Sequence, residues 1–156
     1  MRIAVSSDMD EPVARFLLEE LRRRGHDVQA YGALRPGDNA DWAVCSEAAA
    51  REVAEGRADQ AVVCCWTGTG ASIAANKVPG VRAALCTDAY TADGARRWND
   101  ANVLALSLRL TSEPLLKEIL DSWFAGQAST DEEDRRNVAH VGRLDQRDRD
   151  TGRADR

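Results

Sequence analysis

Apolar and polar positions change period repeatedly along this chain, and each change marks the border of an element. Residues 2–6 (RIAVS) are apolar and β-leaning and end at Ser7-Asp8, as a strand opening into a loop does. In the following EPVARFLLEELRRRG, Val13, Phe16, Leu17 and Leu21 recur at helical spacing. Pro12 suits the first turn, arginines fill the last and Gly25 supplies a stop, so a helix is predicted here. Residues 26–31 (HDVQAY) alternate like a second strand, and the turn-rich GALRPGDNAD leads into a helix over 42–55. A third strand is predicted over 59–65, followed by a TGTG turn and a short helix through 75. Apolar runs over 82–86 and 102–106 have strand length and flank a helix over 89–98 with Asp88 as its cap. A last helix over 113–124 starts after Thr111-Ser112.

Strands alternating with helices imply an α/β fold whose parallel sheet is covered on both faces. Ligands of such sheets gather at the carboxyl ends of the strands, near a topological switch point. The 156 residues fit one domain, with its body over 1–126. After Gly126 the composition turns strongly charged. Val138, Val141 and Leu144 give residues 127–145 a narrow apolar stripe, suited either to an arm laid on a partner subunit or to a helix on its own domain. Residues 146–156 carry almost no apolar side chains and are expected to be a disordered tail.

Net charge is −5, with arginines scattered among acidic residues, so no basic face offers nucleic acid a binding surface. The N-terminus turns acidic before a signal-peptide apolar region forms, and no apolar run approaches bilayer length. A cytoplasmic protein without membrane contact is expected. Cys45, Cys64, Cys65 and Cys86 form no C-x-x-C pair and have no histidines at zinc spacing, so no metal is expected. Neighbouring strand residues face opposite ways, which keeps Cys64 and Cys65 from bridging and suits a reducing compartment.

The stretch CCWTGTG at 64–70 carries the candidate chemistry. Its plainest reading is a tight strand-to-helix turn with cysteines as core filler. A dinucleotide site fits poorly, because the third glycine is missing and the turn follows the third strand rather than the first. A Walker loop needs Gly-Lys-Ser/Thr, which is absent. The remaining reading is an anion cradle beside a thiol. Converging amides and a helix N-terminus stabilise negative charge on a substrate oxygen, and the same field makes Cys65 a usable thiolate. Thiolate plus oxyanion cradle suits proton abstraction next to a carbonyl.

From CWTGTGASIAANKVPGVRAALC to WNDANVLALSLR the chain resembles the ribose-5-phosphate isomerase type B and galactose-6-phosphate isomerase family. There this region typically reads CGTGxGxSIAANKxxGIRAAxC, then HNDANVLALGxR. The resemblance implies a Rossmann-like three-layer sandwich with a five-stranded parallel sheet and a C-terminal helical arm. It also implies a dimer or tetramer with active sites between subunits, no cofactor, and aldose–ketose isomerisation of a sugar or sugar phosphate through a cis-enediolate. By position, Cys65 matches the base that moves a proton between C1 and C2. Thr67, Gly68, Thr69, Gly70 and Ala71 match the loop that holds the enediolate oxygens, with Ser72 beside them. Asp8 matches an aspartate that contacts sugar hydroxyls, Asn99 an asparagine offered by the neighbouring subunit, and Arg109 and Arg136 phosphate-binding arginines.

Three departures bear on the substrate. Trp98 stands where the family has a ring-opening histidine, and an indole cannot exchange protons as an imidazole does. Met9-Asp10-Glu11 replaces His-Ala-Gly after Asp8, and the arm's basic pattern is reduced to Glu132-Glu133-Asp134-Arg135-Arg136. Acidic residues near a phosphate would repel it. Ribose 5-phosphate is therefore expected to be a poor substrate and the true one to be open-chain, unphosphorylated or bound by different groups; the alternative is a non-catalytic sugar-binding homologue or an inactive subunit of a mixed oligomer. Asp10 and Glu11 suit a helix cap or, alternatively, a substrate contact. His26 is expected to be solvated. Trp42 and Trp123 are expected in the core, with Trp98 flanking the pocket and Trp66 suited either to the pocket or to the core.

Overall fold

Period-two alternation in the strands divides the interior into two layers. The structure, a computed structural model, describes residues 1–151, with side chains as far as Asp145. Five strands, β1 (Arg2–Ser7), β2 (Asp27–Gly32), β3 (Gln60–Cys65), β4 (Ala83–Leu85) and β5 (Val103–Ser107), form one sheet in the order β2-β1-β3-β5-β4. Every pairing is parallel. The helices are α1 (Pro12–Arg23), α2 (Trp42–Ala54), α3 (Thr69–Asn76), α4 (Ala89–Asn99), α5 (Glu113–Ala125) and α6 (Glu132–Thr151).

Ile3, Val5, Val62, Cys64, Leu104 and Leu106 pack with Leu17, Leu21, Ala92, Leu116, Ile119, Leu120 and Trp123, so α1, α4 and α5 cover one face. Ala4, Ala61, Val63, Cys65, Val103 and Ala105 pack on the other face with Ala49 and Ala50 of α2 and Ala71 and Ala75 of α3. The first face is built of large aliphatics and the second of alanines, whose small side chains leave room for the α2 and α3 backbones near the sheet. The expected three-layer, Rossmann-like architecture is present.

The caps follow the sequence closely. Pro12 opens α1, Asp88 and Thr91 form a capping box on α4, and Ser112 accepts the Leu115 amide at the start of α5. Gly25, at φ 81°, ends α1. β4 is shorter than the apolar run 82–86 suggests because it is an edge strand with a neighbour on one side only. The Asn76 side chain takes the place of the missing neighbour at Ala83, donating to its carbonyl at 2.9 Å and accepting from its amide at 2.8 Å.

Two expectations do not hold. Trp42 is 47 % exposed rather than in the core, because it opens α2 and its side chain overhangs the helix start instead of facing the sheet. His26 is only partly solvated: its ring lies 4.6 Å from that of Phe124, its Nδ1 is buried without a partner, and burial lowers its pKa. The helix of the arm continues to Thr151, past the boundary expected at 145, and residues 152–156 of the expected tail lie outside the described residues.

Candidate active site

β3 is followed by α3 on the alanine-rich face, while its neighbours β1 and β5 are followed by α1 and α5 on the other. The chain therefore parts on both sides of the carboxyl end of β3, where Cys65 is the last strand residue. The pleat sends Cys64 into the large-aliphatic layer and Cys65 toward α3. Burial pushes the Cys64 thiol far above its ordinary range, which keeps it a neutral core group.

The turn after Cys65 depends on Gly68, at φ 76°, where a Cβ would stand 2.5 Å from the Leu85 side chain and 2.8 Å from the Leu106 backbone. The Gly68 amide donates to Cys65 Sγ at 3.2 Å and the Ala71 amide at 3.5 Å. Thr69 and Gly70 open α3, and their amides have no intrahelical acceptor and no partner among the described residues. The hydroxyls of Thr67 and Thr69 are 2.7 Å apart. The Ser72 amide closes the first helical bond on the Gly68 carbonyl at 3.0 Å. Four first-turn donors thus divide between the sulfur and the open space before the helix, an arrangement that favours negative charge there.

Neighbouring strands complete this end of the sheet. Asp8 follows β1; its Oδ1 is buried without a hydrogen-bond partner, and burial raises its pKa. Cys45, in the first turn of α2, faces Asp8, and burial pushes its thiol up to about 11. Beyond β5, the Arg109 amide donates to the Trp66 carbonyl at 3.1 Å, and the Arg109 side chain is exposed and forms no ion pair with a described residue. Trp66 is 47 % exposed. Asp10 is exposed and paired with Arg15, which holds its carboxyl below the usual range. Glu11 occupies the cap position of α1 without a side-chain bond.

Asp8, Cys65, Thr67, Gly68, Thr69, Gly70, Ala71, Ser72 and Arg109 are therefore gathered at one edge of the sheet. Trp98 and Asn99 are not. A crossover helix runs antiparallel to its strands, so the C-terminal end of α4 lies at the opposite, amino edge. There they line a cavity of about 410 Å³ with Arg82, Leu85 and Val138, and Trp98 folds back onto Gly94 and Tyr90. Arg136 is exposed on α6, 3.7 Å from Glu132, on a helix that packs against α4. Val138 and Val141 of the apolar stripe line that cavity with Trp98, though Val141, like Leu144, stays largely exposed.

Sequence reading passed over Trp42, which packs on the cradle itself: a Cβ on Gly70 would lie 2.9 Å from its Cε3. The only available signal was its place directly after a turn-rich loop, at the start of a helix. Among the described residues no three histidine, cysteine or acidic side chains cluster as metal ligands, and no helix is long and apolar enough to cross a membrane.

The model of the ribose/galactose isomerase family matches residues 3–141. The chain belongs to that family, and so to the isomerases. Among its relatives, the D-erythrulose-4-phosphate isomerase of Pectobacterium atrosepticum is 36 % identical over 107 residues, which is 69 % of this chain and 70 % of that one. Ribose-5-phosphate isomerase B of Escherichia coli is 37 % identical over 111 residues, 71 % of this chain and 74 % of that one. The solved structure of the Clostridium thermocellum ribose-5-phosphate isomerase B superimposes with a TM-score of 0.86 at 34 % identity, covering 94 % of this chain and 99 % of that one.

Proposed function

We propose that this isomerase interconverts a short, open-chain aldose phosphate and its ketose through a cis-enediolate, without a cofactor, with Cys65 as base. The observation that carries the reading is the sulfur of Cys65 at the N-terminus of α3, with the amides of Gly68 and Ala71 directed at it and those of Thr69 and Gly70 open to a substrate. The Cys65 thiolate takes the proton from C2, the C–H electrons form the C1–C2 double bond, and negative charge moves to O1, where the open amides meet it. A proton passes from O2 to O1 with the Thr67 hydroxyl as relay and Asp8 holding the sugar hydroxyls. The thiol then returns its proton to C1, so no atom or electron is gained or lost. Arg109 meets the terminal anion.

Trp98 sets the substrate class. Without an imidazole to open a ring, the substrate is one that arrives open. A four-carbon sugar phosphorylated on O4 has no hydroxyl left to close a five-membered ring on C1, and the Pectobacterium relative is named for such a substrate. Trp98, Asn99 and Arg136 stand at the edge of the sheet opposite Cys65, so their part in the reaction requires a second copy; the assembly is a homodimer, or a tetramer built of two such dimers, with sites shared between subunits.

Isomerisation of erythrulose 4-phosphate in heavy water should wash deuterium into C1 of the ketose and C2 of the aldose. Cys65→Ser should abolish both turnover and exchange while leaving the melting temperature near that of the wild type. Absence of exchange on tetrose and pentose phosphates alike would refute the isomerase reading, and binding without turnover would favour the non-catalytic alternative. Ribose 5-phosphate turned over at rates usual for enzymes would refute the open-chain preference.

A further inference from the structure

We propose that Trp42 is a specificity-determining residue: its indole walls the cradle and selects a four-carbon over a five-carbon substrate backbone. The proposal rests on the isomerase reading above, whose substrate it narrows. Trp42 opens α2, and its benzo ring lies on Gly70, the second residue of the cradle helix; a Cβ there would be 2.9 Å from Cε3 and 3.2 Å from Cδ2 and Cζ3. Gly70 has no positive φ, so the backbone does not call for glycine at this point. The ring does. No space remains behind the indole, and a substrate held by the Thr69 and Gly70 amides meets its outer face.

That face is available, because Trp42 is 47 % exposed although one side is in van der Waals contact with α3. The first turn of α2 also faces the far wall of the site. Cys45 Sγ approaches the Trp42 carbonyl at 3.8 Å, and Cys45 lies beside Asp8. The first turn of α2 thereby touches both sides of the site, the aspartate after β1 through Cys45 and the cradle after β3 through the Trp42 indole. A rigid aromatic face suits the C–H surface of a sugar backbone and cannot fold aside as a long aliphatic chain would. A hydrophobic wall distinguishes substrates differing by one carbon by roughly 10–200-fold.

The test compares kcat/KM for erythrulose 4-phosphate and ribulose 5-phosphate in the wild type, Trp42→Ala and Trp42→Phe. The wild type should favour the four-carbon substrate, and Trp42→Ala should lower that preference by about tenfold or more, with Trp42→Phe between them. A preference that stays constant, with both substrates losing equally, overturns the proposal. If Trp42→Ala does not fold, Trp42→Phe carries the comparison. A titration with 4-phosphoerythronate, an acid analogue of the enediolate, followed by indole fluorescence, separates this proposal from the reading it rests on. If the wild type turns over neither substrate, the isomerase reading fails. A quench that disappears in Trp42→Phe then still upholds the wall, whereas an equal quench in both proteins, or no binding, overturns it.

Discussion

Adjacent thiols with the same intrinsic chemistry end in different environments because the strand pleat turns them to opposite faces. Cys64 is sealed among Leu106, Leu17 and Leu116 and stays neutral, while Cys65 reaches the first turn of α3, where amides meet its sulfur. Asp8 shows the cost of such a site. Its folded pKa is raised by burial above the 3.8 of an ordinary aspartate, so the ionised form is penalised in the fold and that penalty is fully present at neutral pH. Asp8→Asn should remove it. The expected outcome is a rise in melting temperature, roughly 2–4 °C for each kcal/mol recovered, together with a fall in kcat/KM of about tenfold or more. A rise in melting temperature with unchanged kinetics would make Asp8 a merely structural liability.

Among the elements, α1 and α5 are joined by a charge cluster. The Glu20 side chain is 2 % exposed, and it accepts from Arg23 and from Arg24, which reaches Asp121 on α5 at 2.7 Å. The hydrogen bond from Arg23, followed by those of Arg24, pulls the Glu20 pKa down from 4.5 to about 2. A carboxylate depressed in the fold stabilises it above the unfolded pKa and loses that contribution as pH falls through the folded one. Urea unfolding midpoints of the wild type and Glu20→Gln should therefore differ at pH 7 and converge as pH falls from 4.5 toward 2. A difference that persists at the acid end would assign the effect to packing. Edge strand β4 is held by another device, the Asn76 amide, which meets both polar groups of Ala83 and leaves no exposed ladder at that residue.

At the scale of the whole molecule, the sheet separates the two halves of the proposed site. Strand ends carry Asp8, Cys65 and Arg109 to one edge, and the antiparallel course of α4 carries Trp98 and Asn99 to the other. A shared site predicts complementation. Cys65→Ser and Asn99→Ala proteins, each inactive alone, should regain about a quarter of wild-type activity when unfolded together and refolded, because half of the dimers are mixed and each has one intact site. No recovery, with native mass spectrometry confirming mixed dimers, would place the whole reaction within one subunit.

The sequence by itself determined the elements and the thiol at the cradle, since both depend on near neighbours. Helical spacing of Val13, Phe16, Leu17 and Leu21, the Asp88 and Ser112 caps, and the Gly68 turn after Cys65 are all set within a few residues of chain. Only the tertiary structure decided the order β2-β1-β3-β5-β4, the contact of Trp42 with Gly70 and the bond of Asn76 to Ala83 across the α3–β4 connection. Trp42 illustrates the reason. Its apolar bulk predicts burial, but a residue in the first turn of a helix points past the helix start, and what it meets depends on which other helix begins beside it. The same holds for His26, whose neighbours along the chain are charged and whose spatial neighbour, Phe124, comes from the end of α5. Local periodicity reports the face a residue takes on its own element, and the partner on that face is settled by long-range packing.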